Sequence, residues 1–347
     1  MKLVLKQVLI WFLMLAPAIL NAQEEPGKYP PDYDTNYIED YRHRLNISLL
    51  TEVKRNIING FTQEGKLLNY ETNLPIPTYG IMFSYRWLNA AITTPIEGIS
   101  VDPTNNGETN NWTLALGFTG RSWYLRNFFE YYRGYFLRNP ESLPFPFDTL
   151  VDGDGIYPDM ETITYTASAY YGFNGERYSH RALLWQSELQ KKSAGTFLTG
   201  IVGGYKWISS DAIIFPNLDV AENITAIQYY HIGANAGYVH SFVIFKDFNF
   251  SIMLMPGCSY LLADYRSNEQ SEKKFKNSWG LNAEFRTQVL YEIGDFYTGL
   301  SFTTYGSASW LNKESPVGSS HNYLRFNLGY RFKMKPIKFL KPIGLSY

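Results

Sequence analysis

Histidines next to serines are the residues of this chain whose types best suit catalysis. A histidine ring that takes the proton of a serine hydroxyl activates that hydroxyl for attack on an ester. On a strand this chemistry needs the two residues two positions apart, because direct neighbours point to opposite faces. No His-x-Ser occurs, and serine adjoins histidine at Ser179-His180, His240-Ser241 and Ser319-Ser320-His321. The first two pairs sit within expected strands, and the third lies at a loop end, so the spacing favours structural or interfacial histidines over an esterase-type site.

A second candidate for chemistry is the acidic run Asp152-Gly153-Asp154-Gly155, followed by Asp159. Alternating aspartates and glycines are typical of calcium loops. The full calcium pattern is missing, because Tyr157 stands where a glycine is needed and no glutamate closes the loop. A turn rich in Asp and Gly needs no metal. We therefore predict no metal site and no cofactor.

Charged residues on the polar faces of the expected strands form the third candidate. In a narrow barrel they would pair across the lumen and plug it, whereas in a wider one they would line water or a ligand. We expect pairing, with Arg181 in the lumen bound to Glu130 or Glu284, and His180 pointing the other way towards the membrane interface. The predicted polar cluster of the lumen comprises Glu52, Lys54, Arg86, Glu130, Ser179, Arg181, Glu284, Arg286, Arg325 and Arg331.

A polar run in the middle of the chain breaks the alternation that precedes it. Its amides, hydroxyl and lysines suit either a solvated turn or a site for a partner, and we expect the solvated periplasmic turn. The candidate partner motif comprises Gln186, Glu188, Gln190, Lys191, Lys192 and Ser193.

The elements that must position these residues are strands. Apolar and polar residues alternate in many segments, as over residues 162–173, and the period of two indicates strands with one apolar and one polar face. Asn174-Gly175 then predicts a tight hairpin turn into a strand that begins at Arg177. We count about twelve strands, over residues 45–57, 67–94, 112–120, 122–137, 162–173, 177–185, 196–207, 226–242, 248–263, 279–291, 296–305 and 323–332.

Composition and the ends of the chain favour a transmembrane antiparallel barrel. Aromatic residues make up 17% of the 347 residues and charged residues 18%, below the roughly 25% of ordinary soluble domains. A secreted β-sandwich is the alternative. The single cysteine excludes an internal disulfide, and the net charge of −1 gives no reason to expect nucleic acid. We predict a signal peptide over 1–22, a periplasmic lead-in over 23–44, the barrel over 45–333 and a basic tail over 334–347.

This strand count leaves one conflict. With the N-terminus in the periplasm, the loops over 94–110 and 138–159 would fall on the periplasmic side, although long loops of such barrels normally face outwards. Either that face is elaborate or the count is wrong by one in the first half.

Two stretches carry a resemblance to a known family. They are Tyr33-Asp34-Thr35-Asn36-Tyr37-Ile38 near the start and the centre from Tyr165 to Gly200, including Phe173-Asn174-Gly175-Glu176, Tyr178-Ser179-His180-Arg181 and Gln190-Lys191-Lys192-Ser193-Ala194-Gly195. As a set they resemble the domain of unknown function 4421 family of outer-membrane barrels. The resemblance implies a barrel in the outer membrane and no assigned activity.

The function expected from these features is that of an integral outer-membrane barrel without enzymatic activity, either a small-solute pore or a structural or interaction protein. The alternative is a barrel enzyme that modifies outer-membrane lipid or polysaccharide. The last strand ends in Phe332 and resembles the terminal strands that the barrel-assembly machinery reads. The expected partners are therefore lipid, that machinery and an unidentified envelope protein.

Overall fold

The computed structural model describes residues 31–61, 67–73, 77–95, 106–139, 155–214, 224–267, 274–310 and 316–333. The predicted signal peptide, the basic tail, and Asp152 and Asp154 of the acidic run lie outside these residues. Among the described residues, no helix is long and apolar enough to cross a membrane.

The described residues form strands and one short helix. In chain order the elements are β1 (Ile38–Asp40), β2 (Arg44–Phe61), β3 (Leu67–Glu71), β4 (Pro77–Tyr85), β5 (Leu88–Pro95), β6 (Asn110–Thr119), β7 (Trp123–Leu137), β8 (Ile156–Gly172), α1 (His180–Leu184), β9 (Glu188–Gln190), β10 (Ala194–Ser209), β11 (Ile224–Phe245), β12 (Phe248–Ser267), β13 (Lys274–Ile293), β14 (Phe296–Trp310) and β15 (Pro316–Lys333).

Twelve of the strands close into one antiparallel barrel, which confirms the predicted fold class. The wall runs β2, β4, β5, β6, β7, β8, β10, β11, β12, β13, β14, β15 and back to β2. The ring closes where Lys333 pairs with Arg44 and Gly318 with Asn59. β3 extends the wall by pairing with the far end of β2 and with β7. β1 and β9 form a separate two-stranded sheet.

The two faces of the wall follow the alternation predicted from the sequence. On β2 the side chains of Asn46, Ser48 and Glu52 are buried inwards, while Leu49 is 62% exposed on the outer surface. On β15, Leu324 and Phe326 are likewise exposed and outward. The ladder satisfies the backbone polar groups within the closed wall, so an apolar outer face is compatible with lipid.

The predicted strand count was reached through two compensating errors. Residues 67–94 are not one strand, because the chain turns back between Tyr85 and Leu88 to make the hairpin of β4 and β5. The predicted strand from Arg177 does not exist, because β8 pairs directly with β10 and the chain between them leaves the wall. With both corrections the strand ends at Pro95, Asn110, Leu137 and Ile156 lie at the end of the barrel opposite the start of β2 and the end of β15. The conflict over the sidedness of the loops is resolved.

Candidate functional site

A plug folded from two distant segments fills the end of the lumen where β2 begins. The plug consists of residues 31–43 and of residues 173–193, which connect β8 to β10. The segments join as β1 and β9, with Ile38 opposite Gln190 and Asp40 opposite Glu188. The two stretches that carry the family resemblance are thus the two halves of one internal structure.

The helix of the plug begins at a capped turn. The Ser179 side chain accepts a hydrogen bond from the Ala182 N–H at 3.0 Å, which satisfies one of the free amides at the helix start. The same hydroxyl donates to Oε2 of Glu188 at 2.5 Å. Every residue of α1 is buried. A serine that could have been read as a nucleophile is therefore a structural cap.

Gln190 connects the parts of the plug through its side-chain amide. Its oxygen accepts from the Ser179 N–H at 2.9 Å, and its nitrogen donates to the carbonyls of Arg177 at 2.7 Å and Lys192 at 2.9 Å. A further bond of 3.3 Å reaches the carbonyl of Tyr37 in the N-terminal segment. All these contacts use one buried side chain, so the fold of the plug depends on an amide at this position.

Glu188 is fully buried at the centre of three arginines. Arg121, in the turn before β7, donates to both carboxylate oxygens at 3.2 and 2.8 Å, and Arg181 donates at 3.1 Å. Arg42 lies 3.6 Å away. Burial alone would raise the pKa of Glu188, but the arginines outweigh it and lower that pKa to about 2. The carboxylate is ionised and links both plug segments to the wall.

His180 is buried beside this cluster and packs between aromatic rings. Its ring centroid lies 4.8 Å from that of Tyr124 on β7 and 5.0 Å from that of Tyr178. Burial, reinforced by the charge of Arg121, lowers the pKa of His180 to about 3. The imidazole is neutral at physiological pH.

An apolar layer seals the plug against the wall. Trp185 packs on β6, where a Cβ added to Gly117 would lie 2.4 Å from the indole ring. Only a glycine allows this close approach. Side chains from most of the wall join this layer, among them Leu50, Met82, Ala91, Ala115, Tyr124, Tyr170, Leu198, Val239, Met253 and Met255.

The opposite side of the plug is anchored to β15. Gln186 has a left-handed backbone with φ of 51°, and its carbonyl accepts two hydrogen bonds of 3.1 Å from Arg331. Arg331 also pairs with Glu292 at 2.7 Å. The plug is therefore attached on opposite sides of the barrel.

Paired charges line the lumen beyond the plug. Arg126 donates to both oxygens of Glu284 at 2.6 Å each. Glu52 pairs with Arg325 and lies 3.1 Å from Lys54. These pairs agree with the expectation of lumen charges that neutralise each other.

The remaining lumen residues of the predicted cluster also have partners. Arg286 donates to the Tyr323 hydroxyl at 3.0 Å. Glu130 lies 3.1 Å from the Nε2 atom of His321. His321 is therefore occupied by a carboxylate rather than by the serines that precede it.

A cavity of about 80 Å³, lined by both polar and apolar side chains, lies on the loop side of the plug and includes the Arg126–Glu284 pair in its lining. Lys206 on β10, His231 on β11 and Tyr305 on β14 contribute to its lining, with Glu130 and His321 on the same cavity. Between the cavity and the loop end of the barrel, a second apolar cluster includes Ile58, Tyr132, Ile208 and Ile227.

Several predicted placements need correction because the central segment is a plug rather than a hairpin strand. Arg181 is in the lumen, but its carboxylate partner is Glu188, not Glu130 or Glu284. His180 is buried inside and does not face the interface. Arg86 lies in the turn between β4 and β5 with φ of 57°, not on a strand of the lumen.

The candidate partner motif divides into two groups. Gln186, Glu188 and Gln190 are buried in the plug and bind the protein's own chain, so the solvated-turn interpretation is wrong for them. Lys191, Lys192 and Ser193 are exposed. Of these, Lys191 donates to the Thr35 carbonyl at 2.9 Å, which ties the exposed rim to the N-terminal segment.

No serine hydroxyl among the described residues bonds to a histidine ring. Ser241 faces inwards and contacts Ser251 at 2.7 Å, whereas His240 faces outwards between Tyr238 and Phe242. Within the part of the chain that the structure describes, no group of three or more His, Cys, Asp or Glu side chains is placed to hold a metal ion.

Two inward charges absent from the predicted cluster follow from strand alternation. Lys206 shares a face of β10 with Val202 and Leu198, and Arg126 shares a face of β7 with Glu130, so strand alternation points both inwards. Arg121 and Arg42 had no such signal, because each lies outside the barrel strands and meets Glu188 only through the plug.

The fold and site together define a closed antiparallel barrel of the outer-membrane type with an internal plug. The chain belongs to the family Domain of unknown function (DUF4421), which it matches over residues 32–332. The matched region spans both the plug and the whole barrel. A comparison with functionally curated proteins finds no match.

Solved structures similar to the chain include other barrels. The P. putida toluene transporter TodX has a TM-score of 0.29 and 8% identity, over 84% of this chain and 91% of that one. The translocator domain of the autotransporter NalP from Neisseria meningitidis has a TM-score of 0.30 and 9% identity, over 83% and 88%. A Pseudomonas aeruginosa FadL homologue has a TM-score of 0.25 and 9% identity, over 83% and 90%.

Proposed function

We propose that the protein is an integral outer-membrane barrel whose lumen is closed at the periplasmic end by its own chain, and that it acts as a structural or interaction protein of the envelope rather than as an open pore. The observation that carries this proposal is Glu188, buried under α1 and shared by Arg42, Arg121 and Arg181. A carboxylate bound in this way holds the plug in place, because its release would leave Arg121 and Arg181 without a carboxylate partner, whereas Arg42 would keep Asp40.

Residence in the membrane is supported by the outer surface. Exposed apolar side chains cover the wall on nearly every strand, and a soluble protein rarely exposes so large an apolar surface. Examples on separate strands are Ile201, Ile232, Leu281, Leu300 and Phe326. The outward apolar face of β15 also supports recognition by the barrel-assembly machinery.

Conductance across planar bilayers tests the closed lumen. The purified wild-type protein is expected to insert without producing conductance steps. A variant in which residues 175–194 are replaced by the dipeptide turn Asn-Gly keeps the β8–β10 hairpin and removes most of the plug, so it is expected to conduct. Heat-modifiable migration on a gel, measured for both proteins, shows that each barrel is folded.

The outcomes separate the competing functions. Regular conductance steps from the wild-type protein would contradict the closed-lumen proposal and support a small-solute pore. A change in the composition of outer-membrane lipid or polysaccharide incubated with the wild-type protein would favour the enzyme alternative. A wild-type protein that is soluble without detergent would contradict residence in the membrane.

A further inference from the structure

Lys206 is a charged side chain of the cavity that no carboxylate of the described residues contacts directly. It is only 5% exposed and lines the cavity from β10. Within the described part of the chain its amino group makes no ion pair within 4.0 Å and no hydrogen bond. The other buried lysine of the lumen, Lys54, contacts Glu52 at 3.1 Å, Thr93 at 2.6 Å and Thr113 at 2.7 Å. Burying an ammonium without a direct partner is costly. Lys206 therefore differs from Lys54 in a way that a bound ligand would explain.

Other polar atoms without partners surround the same cavity. The Nε2 atom of His231 and the hydroxyls of Tyr305 and Thr303 are buried without a hydrogen-bond partner. Lys206 is opposite Tyr229 in the β10–β11 register, and His231 lies two residues further along β11 on the same face. Lys206 and His231 are thus diagonal neighbours across the strand pair, within reach of a shared small ligand.

The acidic groups of the cavity are already engaged elsewhere. Glu284 receives two hydrogen bonds of 2.6 Å from Arg126, and Glu130 lies 3.1 Å from His321. Neither carboxylate comes within ion-pair distance of Lys206. The side of the cavity at Lys206 and His231 therefore presents an ammonium that no carboxylate contacts directly. Glu130 acts on it only at longer range, and Arg126 and Glu284 neutralise each other.

We propose that this cavity binds a small hydroxylated carboxylate, with the carboxylate group at Lys206 and His231 and the hydroxyl of the ligand at Tyr305 and Thr303. A volume of about 80 Å³ holds roughly five to eight water-sized atoms, which is the size of a two- or three-carbon hydroxy acid. The hydroxyls of Ser307 and Ser319 continue the polar wall towards the loop end. The site goes beyond the closed-barrel proposal, since conductance would overturn that proposal and leave binding intact.

The test uses glycolate as the probe and glycolamide as its neutral isostere. Saturation-transfer NMR with the full-length protein in nanodiscs measures binding of each probe. Wild-type protein is expected to bind glycolate saturably and glycolamide at least ten times more weakly, because only the anion compensates the ammonium. Equal binding of the two probes, or no binding of glycolate, would overturn the proposal.

Substitutions of Lys206 separate a ligand site from a structural lysine. Lys206→Met is expected to abolish glycolate binding and to raise the urea midpoint, because an unpaired buried charge is replaced by an apolar chain of similar length. Lys206→Arg keeps the charge and is expected to retain binding. Lys246→Met removes an exposed lysine in the turn between β11 and β12 and is the control expected to change neither measurement. Retention of glycolate binding by Lys206→Met, or a lowered urea midpoint in that variant, would contradict the proposal.

Discussion

The plug and the cavity occupy the same lumen but differ in whether their buried charges have direct partners. In the plug, Glu188 is surrounded by three arginines and a serine hydroxyl. In the cavity, Lys206 is equally buried and has no such partner within the described residues. Burial alone therefore does not mark a functional residue. A buried charge that the protein satisfies itself closes the barrel, whereas one that it leaves unmatched provides a place for a ligand.

The largest effect is expected when the satisfied charge is removed. Glu188→Gln leaves the three arginines without their shared carboxylate and should lower the free energy of unfolding by about 3–5 kcal/mol. Urea unfolding in lipid vesicles measures this loss, and Glu176→Gln on the exposed surface is the matched control. If Glu188→Gln unfolds at the wild-type urea concentration, the arginine cluster does not stabilise the plug.

A packing change at the same layer should have a somewhat smaller effect. Gly117→Val places side-chain atoms where the Trp185 ring lies, and forcing extra atoms into a packed layer costs about 1–3 kcal/mol. The control is Gly306→Ala on β14, where an added Cβ meets nothing within 4 Å. Tryptophan fluorescence and urea unfolding report the displacement. Equal midpoints for the two variants would show that Trp185 does not seal the lumen.

Acid should loosen the plug before it affects the paired carboxylate. The folded pKa of His180 is about 3, against 6.5 for the free side chain, so the unfolded chain binds the extra proton first as pH falls below 6.5. The contribution of neutral His180 to the free energy of unfolding is fully present above pH 6.5 and is lost as pH falls towards 3. Between pH 7 and pH 5 the loss is about 2 kcal/mol. Glu188 adds to the loss only below its unfolded pKa of 4.5.

The control for the acid effect is His180→Phe, which keeps a ring between Tyr124 and Tyr178 and cannot titrate. Its urea midpoint should depend less on pH between 7 and 5 than that of the wild type. The variant should also be nearly as stable as the wild type at pH 7, because the Nε2 atom of His180 has no hydrogen-bond partner to lose. An unchanged pH dependence would show that another group is responsible.

The smallest effect is expected at the turn between β4 and β5. Arg86 has a left-handed backbone, which costs a non-glycine residue about 1 kcal/mol or more. Arg86→Gly relieves that cost and should change the free energy of unfolding by no more than about 1 kcal/mol. The same urea assay measures it, and a loss as large as that of Glu188→Gln would place Arg86 among the residues that hold the plug.

The barrel could be predicted from the sequence, because apolar residues for the outer face alternate along each wall strand with polar residues for the lumen. Leu324 and Arg325 of β15 show this pattern plainly. The plug could not be predicted in the same way. Its strands β1 and β9 are three residues each, too short to show a period, and its contacts join residues 153 positions apart. The break in alternation at Gln186 was a visible signal, but it indicated only that the wall strand had ended.

The direct pairing of β8 with β10 also determines how the barrel can assemble. The chain between these neighbours is laid on the inner side when they pair, so it never has to be threaded through a finished ring. The seam between β2 and β15 is expected to form late, because the ion pair of Glu52 and Arg325 across it joins residues 273 positions apart. Contacts so distant in sequence slow folding. We therefore expect the N-terminal segment to pair with β9 before β2 and β15 close the wall around both.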